Sequence, residues 1–440
     1  MSMKKKITTI ISILLLVSMP FLLVGCMHND DEETPVGTTS VVPSDQQITL
    51  IWWNLFESQE NVQPLIDAYQ AIHPNVTIEY SEKSIEDYQV NLDKVLTDGQ
   101  PATTPDIFTI HNTWVGRYES YLIAAPGEVI DAATYESSFY SVINSNLIMD
   151  GVPRAISLGV DSIALIYNKD LFSAKGYTTP SNDWAELFEQ AKNLTKETDG
   201  KYTTSGMSLG ASDASEAWFD VFNLLLMQSD VQMLNTTEDA AIFADDAATV
   251  EAVDYFKSFE SEGIWDESLK TDVALFLDGE LAMLMAPSWR LLDIIAYNET
   301  YDLGIDYGIA AVPQLSSLES EKVGWVTYWA QGVSIDSQNY KVAWDFLNFA
   351  TQPDQLRLEF EHNSQSRAYG QIYPRVGMKV ELENDENLSV YLNEISTAKT
   401  WNMVDGAQVK ETFAQWLSNE LDADGAQTEV TGTVGGQGRL

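Results

Sequence analysis

The sequence predicts an α/β protein made of two α/β halves, each around a largely parallel sheet. Two observations predict it. Between residues 48 and 110, β-rich runs alternate with runs of helical apolar spacing in the order β-α-β-α-β. The same alternation resumes after residue 160. Size agrees: 440 residues with 45% hydrophobic side chains exceed one hydrophobic core and suggest about two to three domains.

The first strand is "ITLIWW" (48–53). Val62, Leu65, Ile66 and Tyr69 then share one helical face. His73-Pro74 ends that helix, because the residue before a proline is pushed out of the helical region. "VTIEY" (76–80) alternates as a strand. Ile85, Tyr88, Leu92, Val95 and Leu96 fit the next helical face, and "PDIFTI" (105–110) is the third strand. In "VDSIALIYNKDLF" (160–172), Ile163, Leu165 and Tyr167 alternate with Ala164 and Ile166, so both faces are apolar. Such a run suits a strand covered on both sides, yet Asp161 stands at its head. Pro180-Ser181 offers a helix start before Trp184, Leu187, Phe188, Ala191 and Leu194. Ala343, Phe346, Leu347 and Ala350 make a later helix of the same kind. No repeat of fixed period is visible.

The N-terminus specifies a compartment. Lys4, Lys5 and Lys6 precede an apolar run from Ile7 to Val24, a basic n-region followed by an h-region. The run ends in Leu23-Val24-Gly25-Cys26, and small residues just before a cysteine resemble a bacterial lipobox. On that reading residues 1–25 are a lipoprotein signal peptide and Cys26 is diacylated. Two acyl chains supply the double signal that stable membrane attachment needs. Cys26 is the only cysteine of the chain, so no internal disulfide forms. Residues 26–46 read as a flexible tether with an r.m.s. span of about 25 Å. Residues 426–440 read as a loose C-terminal tail. No later run reaches the about eighteen uninterrupted apolar residues of a membrane span.

The chain carries 66 Asp plus Glu against 24 Lys plus Arg, a formal charge of −42. Phosphate backbones repel such a surface, so nucleic acid is not an expected partner. The four His are widely spaced and no Cys pair exists, so no metal site is expected. "ELDADGAQTEVT" (420–431) echoes a calcium loop, but Thr431 stands where a bidentate Glu is required, and a solvated acidic turn fits better. No G-x-S-x-G elbow is present. Gly435-Gly436-Gln437-Gly438 follows no strand, so no phosphate cradle and no cofactor are expected. Among so many acids no carboxylate pair is marked out for glycoside hydrolysis.

Tryptophan stands out. Of the twelve, Trp184 and Trp344 lie on helical faces and belong to the core. Trp114, Trp289, Trp325, Trp329 and Trp401 sit beside predicted turns or strand ends. In open α/β sheets, ligands bind outside the carboxyl ends of the strands. A flat aromatic face suits the C–H face of a pyranose, and carboxylates and amides suit its hydroxyls. Such a set without a nucleophile points to recognition and not to turnover.

The chain resembles the solute-binding lipoproteins of bacterial ABC sugar importers, the group that includes maltose-binding protein. The resemblance rests on an ordered series: "ITLIWWN", "AYQAIHPNVTIEY", "DYQVNLDKVLTDGQ" with "PDIFTIH", the stretch "GVPRAISLGVDSIALIYNKDLF", then "FLDGELAMLMAPSWR", "YGIAAVPQ" and "AWDFLNFATQP". It runs from about residue 47 to about 425. It departs at "SND" before Trp184 and is hard to align through 201–250, which weakens any role carried over to Trp218.

The resemblance implies a two-lobe periplasmic-binding-protein fold of type II, with ligand held in a hinged cleft. The first lobe is expected at 47–160 and 326–372, the second at 161–325 and 373–425. The implied crossings lie near 158–162, 323–328 and 372–376. The implied contact residues are Asn54 and Glu57 after the first strand, His111, Asn112 and Trp114 after "PDIF", Asp161 at the hinge strand, and Trp289 as a stacking platform. Trp218, Trp325, Tyr328 and Trp401 are added less directly. Residue-level alternatives stand beside these: a cap or salt bridge for Asp161, helix capping for Asn54 and Glu57, and turn-shaping for His111 and Asn112. The function implied is a monomeric sugar receptor that presents its ligand to an ABC permease. A surface-anchored glycoside hydrolase, a same-fold receptor for a peptide, polyamine or other non-sugar solute, and an adhesin are the alternatives.

Overall fold

The computed structural model describes residues 41–100, 103–316 and 322–440. The expected signal peptide, Cys26 and most of the expected tether lie outside them. The described end of that tether is held to the domain: Val42 is buried, and the Asn75 side chain donates to the carbonyls of Pro43 and Gln46, both at 2.7 Å.

The strands that build the two main sheets and the hinge are β1 (Ile48–Leu55), β2 (Val76–Lys83), β3 (Ile107–His111), β4 (Ala155–Ile156), β5 (Ile163–Asn168), β6 (Met283–Pro287), β7 (Tyr307–Ala310), β8 (Gly324–Trp325), β9 (Trp329–Val333) and β10 (Ala398–Lys399). The helices used below are α1 (Gln59–Ile72), α2 (Tyr88–Asp98), α3 (Ser141–Leu147), α4 (Trp218–Gln228), α5 (Ser288–Thr300), α6 (Tyr340–Ala350), α7 (Pro353–Asn363), α8 (Gly406–Leu417) and α9 (Ala423–Gly432).

The first sheet has the order β2-β1-β3-β9-β4, and the second β6-β5-β7. Pairs β1–β2 and β1–β3 are parallel, as expected for strands joined by crossover helices. β9 runs antiparallel to both neighbours, and both pairs of the second sheet are antiparallel. The mostly parallel sheet expected in each lobe is therefore confined to part of the first. The reason is connectivity. A strand that arrives through a hinge starts at the cleft edge and runs away from it, whereas β1 and β3 run toward that edge.

Both faces of β5 are covered. Ile163, Leu165 and Tyr167 join one apolar cluster, and Ala164 and Ile166 join the other. The apolar face read for α1 is its buried face: Val62, Leu65, Ile66 and Tyr69. Ile85, by contrast, is 40% exposed and precedes α2.

Val160 donates to the Ile372 carbonyl and Thr327 to the Asp161 carbonyl, both at 3.0 Å, so residues 160–161, 327 and 372 lie side by side. β8 and β10 pair in parallel beside them. The expected loose tail is instead ordered: α9 is capped by Asp422, and Ala426, Val430 and Val434 pack into the second cluster. The acidic stretch 420–431 is thus mostly the start of a helix. Among the described residues no group of three or more His, Cys, Asp or Glu is placed to hold a metal ion, and no helix is long and apolar enough to cross a membrane.

Candidate functional site

The first-lobe rim is built where β1 and β3 end and β9 begins. Phe56, directly after β1, has φ 64° and is 56% exposed. A bulky side chain in this left-handed conformation costs about 1–3 kcal/mol, a strain that concentrates at ligand clamps. Its ring lies 5.2 Å from Trp329. Because β9 is antiparallel to β3, Trp329 pairs with His111, and their rings are 4.9 Å apart at 72°. Trp114 meets Trp329 edge-on at 5.2 Å. These rings form one aromatic edge.

His111 is locked between two hydroxyls: Nδ1 lies 2.8 Å from Thr113 Oγ1 and Nε2 lies 3.1 Å from Thr327 Oγ1. Burial first, and the Lys410 charge second, pull its pKa down to about 4, so the imidazole is neutral near pH 7. Asn112 exchanges hydrogen bonds with the Tyr328 backbone, and its Nδ2 is a buried donor without a partner among the described residues. The turn-shaping alternative therefore holds for part of each side chain.

The second-lobe rim is the end of β6 and the start of α5. Trp289, at the first turn of α5, is 48% exposed. The Arg290 guanidinium lies 4.5 Å over its ring and pairs with Asp293 at 2.7 Å and with Glu216. Beneath them is a cavity of about 50 Å³ lined by Glu216, Asp220, Asp272, Trp289, Arg290 and Thr327. Glu216 is held by Arg290, and Asp272 accepts from the Glu216 and Val273 amides at 3.1 and 2.7 Å. Asp220 is different. One of its oxygens accepts from Trp325 Nε1 at 2.8 Å, and among the described residues no bond occupies the other. Burial lifts its pKa to about 6, an effect that the Trp325 hydrogen bond and Lys410 oppose.

Asp161 does not present a free acceptor. Oδ1 accepts from the Ser162 and Ser288 amides at 2.8 and 3.2 Å. Oδ2 accepts from Ser288 Oγ at 2.8 Å and the Trp289 amide at 3.3 Å. Four donors saturate the carboxylate, which caps α5 from the hinge strand. Burial raises its pKa to about 7, outweighing those donors. The cap alternative replaces the ligand-acceptor reading, and it places Trp289 on the capped turn.

Other expected contacts are also internal. Asn54 accepts from Thr109 at 2.6 Å and Gln331 at 3.3 Å. Glu57 accepts from Asn61 at 2.7 Å, Gln371 at 2.9 Å and Arg367 at 3.0 Å, a brace between β1 and the third crossing. Neither caps α1, whose cap is Ser58. Trp218, Trp325 and Tyr328 are buried at 1–3% exposure. They are packed and not open platforms. Trp401 is half-buried, donates to Asn223 at 2.8 Å, and lines a second groove of about 610 Å³ between α3 and the 230–238 loop.

Sequence reasoning thus missed Phe56 and Asp220. "NLFES" carries no glycine to announce a positive φ, and Asp220 lies inside a helical apolar run, where an acid reads as a surface residue. Trp329 was visible beside Trp325, but its place at the rim needed the antiparallel register.

Residues 64–363 match the model of the bacterial extracellular solute-binding protein family. The chain belongs to that family. It is 25% identical over 305 residues to a binding protein of Brucella abortus strain 2308, covering 67% of this chain and 69% of that one. Its fold is similar to that of the cyclic alpha-maltosyl-1,6-maltose binding protein from Arthrobacter globiformis, with TM-score 0.70, 21% identity, and coverage of 88% of this chain and 98% of that one. The sugar-binding protein MalE from Xanthomonas citri gives TM-score 0.70 at 16% identity, covering 88% and 96%. The GacH receptor of Streptomyces glaucescens, whose complex with acarbose is known, gives 0.68 at 19%, covering 88% and 97%. At these identities the structural likeness carries the two-lobe fold.

Proposed function

We propose that this solute-binding protein is a lipid-anchored sugar receptor of an ABC importer that captures ligand by lobe closure and does no chemistry on it. The observation that carries this is that Thr327 joins two aromatic rims: it holds His111 beside Trp329, Trp114 and Phe56, and it lines the cavity with exposed Trp289 and the half-free Asp220. Flat rings serve the apolar face of a pyranose, and an acceptor carboxylate serves its hydroxyls. The sugar-binding names of the structural neighbours support the same class. A cavity of about 50 Å³ has room for only a few waters, each needing about 10–15 Å³ by the same measure, and a pyranose is larger. Ligand therefore enters with the lobes apart and favours their approach by touching both.

Cys26 carries the acyl anchor on this reading, and a permease receives the sugar from a monomeric receptor. The test is a thermal-shift screen of saccharides against amino acids, peptides and polyamines. A saccharide should raise the midpoint, and no reducing ends should be released from a polysaccharide panel. Stabilisation by a non-sugar class alone refutes the sugar reading. Labelling with a fatty-acid analogue should tag the parent chain and not Cys26→Ser; an untagged parent chain refutes the anchor.

A further inference from the structure

The segment expected to be a loose tail reaches across to the first lobe. Val434 packs into the cluster of the second lobe, whereas Leu440 packs against the cluster that includes Val115 and Tyr118. Between them Gly436 adopts φ 127°, a conformation L side chains rarely take, and turns the chain out of its last helical turn. A Cβ on Gly438 would come within 2.7 Å of Thr433 and 3.2 Å of Asp405, so the returning backbone needs glycine there too.

The receiving surface is residues 113–119, directly after the aromatic edge. Arg117 is its centre. Its amide donates to the Val404 carbonyl at 2.9 Å, and its carbonyl accepts from the Leu440 amide at 3.0 Å. Its guanidinium bonds Asp93 in α2 at 2.6 Å, Asp405 at 2.8 Å and the Gly438 carbonyl at 3.1 Å. Arg439 donates to the Gly116 carbonyl at 3.3 Å and pairs with Glu119. The backbones touch: a Cβ on Gly116 would lie 2.9 Å from Val404 Cα, and one on Gly406 would lie 2.0 Å from Thr113 Oγ1. Val404 itself is a β-branched residue at φ 60°. That is a strained state, which persists only where its surroundings enforce it.

We propose that residues 402–406 and 433–440 form a latch that clips the second lobe onto the first through Arg117, so that lobe closure is set in part by contacts no ligand touches. Asp405 gives the latch its reach into the cleft. One of its oxygens takes Arg117, and the other caps α8 through the Ala407 and Gln408 amides. Gly406, the first residue of α8, packs against Thr113, whose hydroxyl lies 2.8 Å from His111 Nδ1 on the aromatic edge. Arg117 is thus a positioning residue for the closed cleft. A ligand whose tight state is only partly populated binds more weakly by that fraction, so loosening the latch weakens affinity without removing a ligand contact.

The inference rests on the hinge-closure reading, but its first readout needs no sugar. Small-angle scattering of the sugar-free protein should show a larger radius of gyration in Arg117→Gln and Arg439→Ala than in the parent chain. With a saccharide from the screen, both variants should bind about ten-fold more weakly through a faster off-rate, with the on-rate little changed. Arg439 is more exposed than Arg117, so Arg439→Ala decides the matter should Arg117→Gln unfold. Scattering and affinity both unchanged in Arg439→Ala overturn the latch. A larger radius in the variants supports the latch even if no saccharide binds, in which case only the sugar reading falls.

Discussion

Trp289→Ala tests the stacking platform. A tryptophan side chain offers up to about 250 Å², and 48% of Trp289 is exposed, which leaves about 120 Å² for a ligand. A sugar ring stacked on one face covers about half of that. At about 25 cal/mol per Å² the loss is about 1.5 kcal/mol, or about ten-fold in Kd. The covered half of the side chain, about 130 Å², includes the cation–π contact with the Arg290 guanidinium and is worth up to about 3 kcal/mol to the fold by the same measure. Titration calorimetry with a saccharide that stabilises the parent protein measures the first quantity, and a thermal melt measures the second. An unchanged Kd refutes the platform. A variant that no longer melts cooperatively refutes the claim that the fold survives the loss of Trp289.

Asp161→Asn should lower stability by about 1–2 kcal/mol by weakening the α5 cap, and change sugar affinity much less than Trp289→Ala. A ten-fold loss of affinity with an unaltered melt would restore Asp161 as a ligand acceptor. Stability should fall as pH rises from about 5 to 8. Burial, followed by the Glu57 charge, raises the Glu359 pKa to about 8, and burial raises Asp161 and Glu394 to about 7. In that window the folded chain holds protons that the unfolded chain has released, so deprotonation favours unfolding. Glu359→Gln should raise the melting temperature at pH 8 and flatten its decline. A parent melt that is flat or rises over this range contradicts the assignment.

Much of the fold was legible because its signals are local. The period-two runs gave β1 to β3, and the faces of α1 and α6 were named residue by residue before the structure placed them inside. The two-faced β5 was legible from its unbroken apolar run. The tail was misread although it carried a helical signal: Ala426, Val430 and Val434 recur at intervals of four, and the glycines and threonines between them masked it. The site was less legible because its logic is long-range. Asp161 caps a helix that begins 127 residues later, so no local pattern distinguishes a cap from a free acceptor. Trp325 and Trp329 stand four residues apart, yet the first is sealed by α4 while the second forms the rim. Register and packing decide that difference, and both depend on partners far along the chain. The family resemblance supplied the two lobes and the hinge, but it carried over roles for Asn54, Glu57 and Asp161 that this chain's own hydrogen bonds already occupy.

Titration of the purified protein with saccharides, followed jointly by calorimetry and small-angle scattering, tests the central claim most directly. A hinge-closing sugar receptor should bind one class of saccharide at a single site. Its saturated form should be at least as compact as the free one, and the sugar should be recovered intact. Binding of a peptide or polyamine in place of any saccharide, or cleavage of the bound sugar, would contradict it.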